Sequence, residues 1–137
     1  MKKCYYFLMV MLLALVSVNL TACGDDKDEP STGGDVVGTW QQIYNDEDGQ
    51  SEILVQFTKD GKFHEVDVYK EVGGEVDIDI EHGTYTIQGN KMTIRYDDDD
   101  YYIECTFSVK GDKMTVSQSG YSLIYNRVSD SLIQRYL

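Results

Sequence analysis

The stretch TYTIQGNKMTI, residues 84–94, returns without a gap as TFSVKGDKMTV at residues 106–116. In each copy an aromatic residue, a β-branched residue, a methionine and a second β-branched residue alternate with threonine, serine, glutamine and lysine. Such period-two alternation about a central Gly-Asn or Gly-Asp pair is the pattern of a β-hairpin with one buried face. Successive strand side chains point to opposite sides, and a two-residue turn needs the positive φ that glycine supplies. The predicted inward set is Tyr85, Ile87, Met92 and Ile94 in the first copy and Phe107, Val109, Met114 and Val116 in the second.

Outward from this repeat the same grammar covers everything from Val36 onward. Lys59-Asp60-Gly61-Lys62 is a further hairpin centre, Gly73-Gly74 and Ser119-Gly120 look similar, and Asn45 to Gly49 and Asp97 to Asp100 form two longer acidic connections. These turns delimit eight strands, predicted at 37–44, 51–58, 62–71, 75–87, 91–96, 101–109, 113–118 and 121–128. Hairpin connections throughout describe an antiparallel meander, whose two open edges vanish if the sheet closes. The expected fold is all-β, a small eight-stranded antiparallel up-and-down barrel, a size at which the interior is just filled or holds one small ligand. Ser129-Asp130 ahead of Leu132, Ile133 and Tyr136 predicts a short C-terminal helix lying on the barrel, with Ser129 or Asp130 as N-cap.

At the other end of the chain Lys2 and Lys3 precede a largely apolar run from Tyr5 to Leu20, which stops at Thr21-Ala22-Cys23. A positive start, a short apolar core and small residues are the parts of a secretory signal, and the run is short for a membrane span. Leu20-Thr21-Ala22-Cys23 closely resembles the bacterial lipobox, in which the cysteine thiol receives a diacylglyceryl group and the chain is cut just before it. The resemblance implies residues 1–22 as a lipoprotein signal peptide, Cys23 as the lipidated N-terminus of the mature protein, and a membrane contact made through covalent lipid. Residues 23–35 then hold the acylated cysteine and a tether rich in Asp, Glu and Gly, with the chain's one proline. Its acidic cluster resembles the signals that follow the lipobox in surface lipoproteins of the Bacteroidetes. It reads equally as an export address and as a solvated linker. The expected location is the outer membrane, lipid-anchored and open to exposure at the cell surface.

The net charge of −12 becomes more negative once the two signal lysines are cleaved away. Phosphate backbones would be repelled, so nucleic acid is not an expected partner. Of three cysteines, one lies in the signal and one carries the lipid, which leaves Cys105 without an intramolecular disulfide partner. Residues 36–137 must therefore fold on their own core as one domain.

Val37-Gly38-Thr39-Trp40 opens the first strand and Tyr125-Asn126-Arg127-Val128 closes the last. Together with the hairpin order they resemble a lipocalin-like domain of the kind carried by Bacteroidetes outer-membrane lipoproteins. In lipocalins a Gly-x-Trp indole plugs the closed end of the barrel and a late arginine covers it. The resemblance implies that Trp40 and Arg127 are a barrel-closing pair, joined by cation–π contact. It also implies a small apolar or amphipathic ligand entering opposite Trp40. Strand parity nominates Phe57, Tyr85, Ile87, Ile103, Phe107 and Tyr125 to meet it. The strands are shorter than those of full lipocalins. The other reading is a filled-core barrel that engages protein or glycan through its loops and acidic surface, including Tyr101-Tyr102.

Chemistry is sparse elsewhere. His64 and His82 each adjoin a glutamate, but no metal-ligand spacing such as His-Glu-x-x-His occurs, and they read as exposed strand histidines. Asp77 and Asp79 alternate with Val76, Ile78 and Ile80 and read as an outward acidic row. Cys105 shares the parity of Ile103 and Phe107 and should point inward as a small hydrophobe. No serine elbow or phosphate loop is present, so no enzyme activity, cofactor or metal is expected.

Overall fold

A computed structural model describes residues 33–98 and 100–137. The signal segment, Cys23 and all of the tether but its last residues lie outside the described residues. Eight antiparallel strands close into a barrel in sequence order, β1 (Gly38–Asn45), β2 (Gly49–Phe57), β3 (Lys62–Glu71), β4 (Val76–Gln88), β5 (Lys91–Tyr96), β6 (Tyr102–Lys110), β7 (Lys113–Gln118) and β8 (Tyr121–Val128). A 3₁₀ turn at Gly33–Val36 precedes them and a helix, α1 (Ser131–Gln134), follows. The meander, the closure and the strand limits agree with the alternation to within about two residues. Gly89-Asn90, Gly111-Asp112 and Ser119-Gly120 are two-residue turns, with φ of +62° at Gly89, +59° at Gly111, and +50° and +85° at Ser119 and Gly120. The Lys59-Asp60-Gly61 turn is longer than predicted, because Thr58 N–H also bonds the Lys62 carbonyl at 2.9 Å and ends β2 early.

Two clusters of apolar side chains hold the barrel together. The interior one contains Trp40, Phe57, Met92, Cys105, Phe107 and Met114, all buried. The second lies outside the wall, where Ile133 of α1 sits on Leu54, Val66 and Val68. Under the helix the polar side chains are linked in series. Thr39 Oγ1 donates to Asp130 Oδ1 at 2.7 Å and Gln56 Nε2 donates to Thr39 Oγ1 at 3.1 Å. Asp130 is the N-cap residue, as expected, but its carboxylate is spent on Thr39 and makes no capping bond.

The strands close the barrel as a low belt. β1 meets β8 only over Thr39–Gln41, and β4 meets β5 only from Gly83 onward, while β4 pairs with β3 from Val76 to Thr84. Gly83 lies at that branch point, where a Cβ would fall 2.0 Å from the Arg95 carbonyl oxygen. Only a residue without a side chain lets β4 serve both neighbours there. Beyond it, residues 76–82 of β4 run on as the outermost strand of the sheet that β1, β2 and β3 form.

Candidate functional site

The closed end of the barrel is built as the Gly-x-Trp and terminal-arginine pattern implies. Trp40 is fully buried and its Nε1–H donates to the Val36 carbonyl at 2.8 Å. The Arg127 guanidinium lies 4.1 Å from the indole centre and donates to the carbonyls of Val37 and Asp35, each at 2.9 Å. Arg127 Nε also lies 3.6 Å from Asp112 Oδ1, so both partners are engaged by the protein itself and this end is a structural seal.

The interior is nearly full. A cavity of about 40 Å³ lies among the described residues, lined among others by Phe57, Glu65, Tyr96, Ile103, Cys105 and Tyr125. Pockets for drug-sized ligands run to about 300–1,000 Å³, so this void admits little more than the end of a chain. Of the six residues nominated by parity, Phe57, Ile103 and Tyr125 face the cavity. Phe107 is buried in the same core but does not line it, and neither do the half-buried Tyr85 and Ile87. The Tyr85 hydroxyl is tied to the Thr58 carbonyl at 2.7 Å beside the β2–β3 turn, and its ring meets Phe57 edge-on at 5.0 Å. The structure therefore packs these six into the core and its lower wall and does not gather them round an open cup.

The unexpected feature is acidic. Asp77 and Asp79 are not an outward row. β4 runs from Val76 to Gln88 without a break in alternation, so Asp77, Asp79 and Glu81 share the face of Tyr85 and Ile87, and Val76, Ile78 and Ile80 point outward. Glu65 pairs directly with Glu81 across β3–β4, Asp67 with Asp79, and Tyr69 with Asp77. Like charges placed directly opposite destabilise a sheet.

Glu65 is 6% exposed, and its Oε2 accepts a 3.0 Å hydrogen bond from the Tyr96 hydroxyl. Burial pushes its carboxyl up to about 8, with Asp67, Glu81 and Asp79 adding repulsion and only the Tyr96 bond opposing. Burial, then Glu81 and Asp79, raise Asp67 to about 7. Gln42 lies in the same cross-strand row as Asp67 through Ile53, and Gln42 Oε1 and Asp67 Oδ1 are both buried without a hydrogen-bond partner. Strand parity carried back from Tyr85 would have exposed Asp79 and Glu81. Glu65 and Asp67 gave no such signal, since apolar Val66 and Val68 between them read as the buried side.

Chemically, this wall of carboxyls above an apolar base suits a positively charged group. Burial pushes the Cys105 thiol up to about 11, so it is not a nucleophile at neutral pH. His64 and His82 are cross-strand partners, Nδ1 to Nδ1 at 2.8 Å on the outer surface. Among the described residues no group of three or more potential metal ligands converges.

No curated protein matches the chain. A crystal structure of an uncharacterized protein from Bacteroides eggerthii aligns with a TM-score of 0.49 and 16% identity, over 68% of this chain and 99% of that one. A family model described as a lipocalin-like domain matches residues 36–116, more than half of the sequence. With that match beside a closed eight-stranded meander sealed by Trp40 and Arg127, the chain belongs to the lipocalin-like domain family.

Proposed function

We propose that this is a lipid-anchored extracytoplasmic binding protein, not an enzyme, that holds a small amphipathic ligand with a cationic head at the open end of its barrel. The observation that carries the reading is the facing pair of carboxyl rows, Glu65–Glu81 and Asp67–Asp79, next to the buried, unpartnered Asp67 Oδ1 and Gln42 Oε1. Burying the Glu65 carboxyl and the unpartnered Asp67 Oδ1 is costly, and a bound ammonium or guanidinium would offset that cost. The 40 Å³ void beneath limits any apolar tail inside the barrel to a few atoms.

Calorimetry with n-hexylamine and with hexanoate on the full-length protein in nonionic detergent tests this. The amine should bind with proton release and tighten as pH rises through the raised carboxyl values, and Asp67→Asn should weaken it at least about tenfold. Equal binding of hexanoate, or no binding of the amine, would sink the proposal. The anchor is tested separately: labelled palmitate should enter the wild type and not Cys23→Ser. Protease added to intact cells asks whether the domain stands on the outer face of the outer membrane.

A second reading, engagement of protein or glycan through the outside of a filled barrel, is favoured by the small void together with an open groove of about 1050 Å³. Its lining includes Thr86, Thr93, Tyr102, Glu104, Thr106 and Ser117.

A further inference from the structure

Among the described residues, the sheet of β1–β4 has an unpartnered edge along the first half of β4. β4 pairs with β5 only from Gly83 to Gln88, so among the described residues Val76–His82 has β3 on one side and no strand on the other. The hydrogen-bond parity of that edge is fixed at both ends. Tyr85 N–H bonds Gly61 and Glu71 N–H bonds the Glu75 carbonyl, so the odd-numbered residues of β4 face β3. The His82 carbonyl accepts from Asp97 N–H at 2.9 Å on the opposite side, so the even-numbered residues face away from β3. Beyond His82, the N–H and C=O groups of Ile80, Ile78 and Val76 therefore lie along the free edge in ladder spacing, with no strand to receive them.

The side chains at this edge sort by face. Val76, Ile78 and Ile80 are 50%, 51% and 37% exposed on the outer face, an unusual run of β-branched residues to leave in water. Asp77, Asp79 and Glu81 occupy the inner face. Exposed apolar edge strands invite pairing by another chain, and charges pointing to the sheet's inner side are a common guard against the wrong one. Antiparallel pairing with a second copy of this edge keeps both inner faces on the same side. Centred on Asp79, it sets Asp79 against its own mate and Asp77 against Glu81, acid on acid. The chain's own residues 24–32, with four acidic residues and one lysine, carry the same wrong sign.

We infer that the free edge of β4 at Val76–Ile80 is a β-augmentation site for an extended basic segment of another protein, one that alternates lysine or arginine on the inner face with apolar residues on the outer. Backbone hydrogen bonds to Val76, Ile78 and Ile80 supply the docking, and the acidic row selects the partner by charge. This surface shares Asp79 and Glu81 with the mouth ligand proposed above but adds the strand's backbone edge, which that ligand does not use, so peptide binding that depends on backbone N–H groups separates the two.

Fluorescence anisotropy of the full-length protein in nonionic detergent, with a labelled seven-residue peptide of alternating lysine and valine, tests it. Binding is expected, with a loss of at least about tenfold when glutamate replaces lysine. Methylating the backbone nitrogens of one alternate set of the peptide should abolish binding, while methylating the other set should spare it. Ile78→Pro removes an N–H that points away from β3 and should weaken binding by a similar factor with little effect on the fold. The methylated peptides decide the matter without any variant, should Ile78→Pro fail to fold. Equal binding of both methylated peptides, or of a scrambled peptide of the same charge, would reduce the interaction to nonspecific attraction and overturn the inference. So would a dimer in sedimentation that Ile78→Pro dissolves, which would make the occupant a second copy.

Discussion

Trp40 and Arg127 face each other where β1 meets β8, with the guanidinium carbon 4.1 Å from the indole centre. The register makes them direct cross-strand partners, and Gly38 beside them, at φ +129°, leaves room for the arginine: a Cβ there would fall 2.7 Å from Nη1. The last strand is thereby tied to the first at the one short segment where they pair.

Trp40→Ala should cost about 3–5 kcal/mol, the range for removing a large buried aromatic side chain, which is a large share of a typical domain's stability. Arg127→Ala should cost less, and Arg127→Lys should not restore it. An ammonium cannot lie flat on the indole while donating to two separate carbonyls. Urea midpoints of the three variants check the order.

Gly83→Ala should destabilise by about 1–3 kcal/mol or more, because the added methyl meets the backbone of Arg95, which cannot step aside without parting β4 from β5. Gly73→Ala is the control. Nothing lies within 4 Å of a Cβ at Gly73, and its effect should stay within about 0.5 kcal/mol. Thermal melts of both variants suffice.

Stability should fall as pH rises. Glu65 at about 8 and Asp67 at about 7 lie above their ordinary 4.5 and 3.8, so the folded protein binds these protons more tightly than the unfolded chain does. Their contribution is greatest below the ordinary carboxyl values and is lost as pH climbs through the raised ones. Without added amine, the melting temperature should drop between about pH 5 and about pH 9. Glu65→Gln and Asp67→Asn should flatten that slope and raise stability at its alkaline end. A melting temperature that climbs over this range would show the buried carboxyls to be compensated.

Cys105 should resist thiol reagents in the folded protein and react only on unfolding. It is 7% exposed and burial holds its thiol at about 11, so almost no thiolate is available at neutral pH. Labelling with and without denaturant gives the answer directly.

The sequence by itself determined the eight strands, their meander order, the closed barrel, the terminal helix and the Trp40–Arg127 seal. The strands and turns rest on local physics, period-two alternation and turn glycines at positive φ, and the Trp40–Arg127 pairing rests on the resemblance to lipocalins. What only the tertiary structure decided was that β4 runs unbroken through Gly83, so that the parity of Tyr85 carries back and the acidic side faces in. Read alone, Val76-Asp77-Ile78-Asp79-Ile80 puts its apolar residues inward. But parity is continuous through Gly83 to Tyr85 and Ile87, and pairing with β3 fixes Asp79 against Asp67 and Glu81 against Glu65. The same non-local register left Val76, Ile78 and Ile80 on an open edge and filled the interior to a void of about 40 Å³. Alternation within a strand states that two faces differ. Which of them is buried is set by the strands on either side, through contacts that no single segment contains.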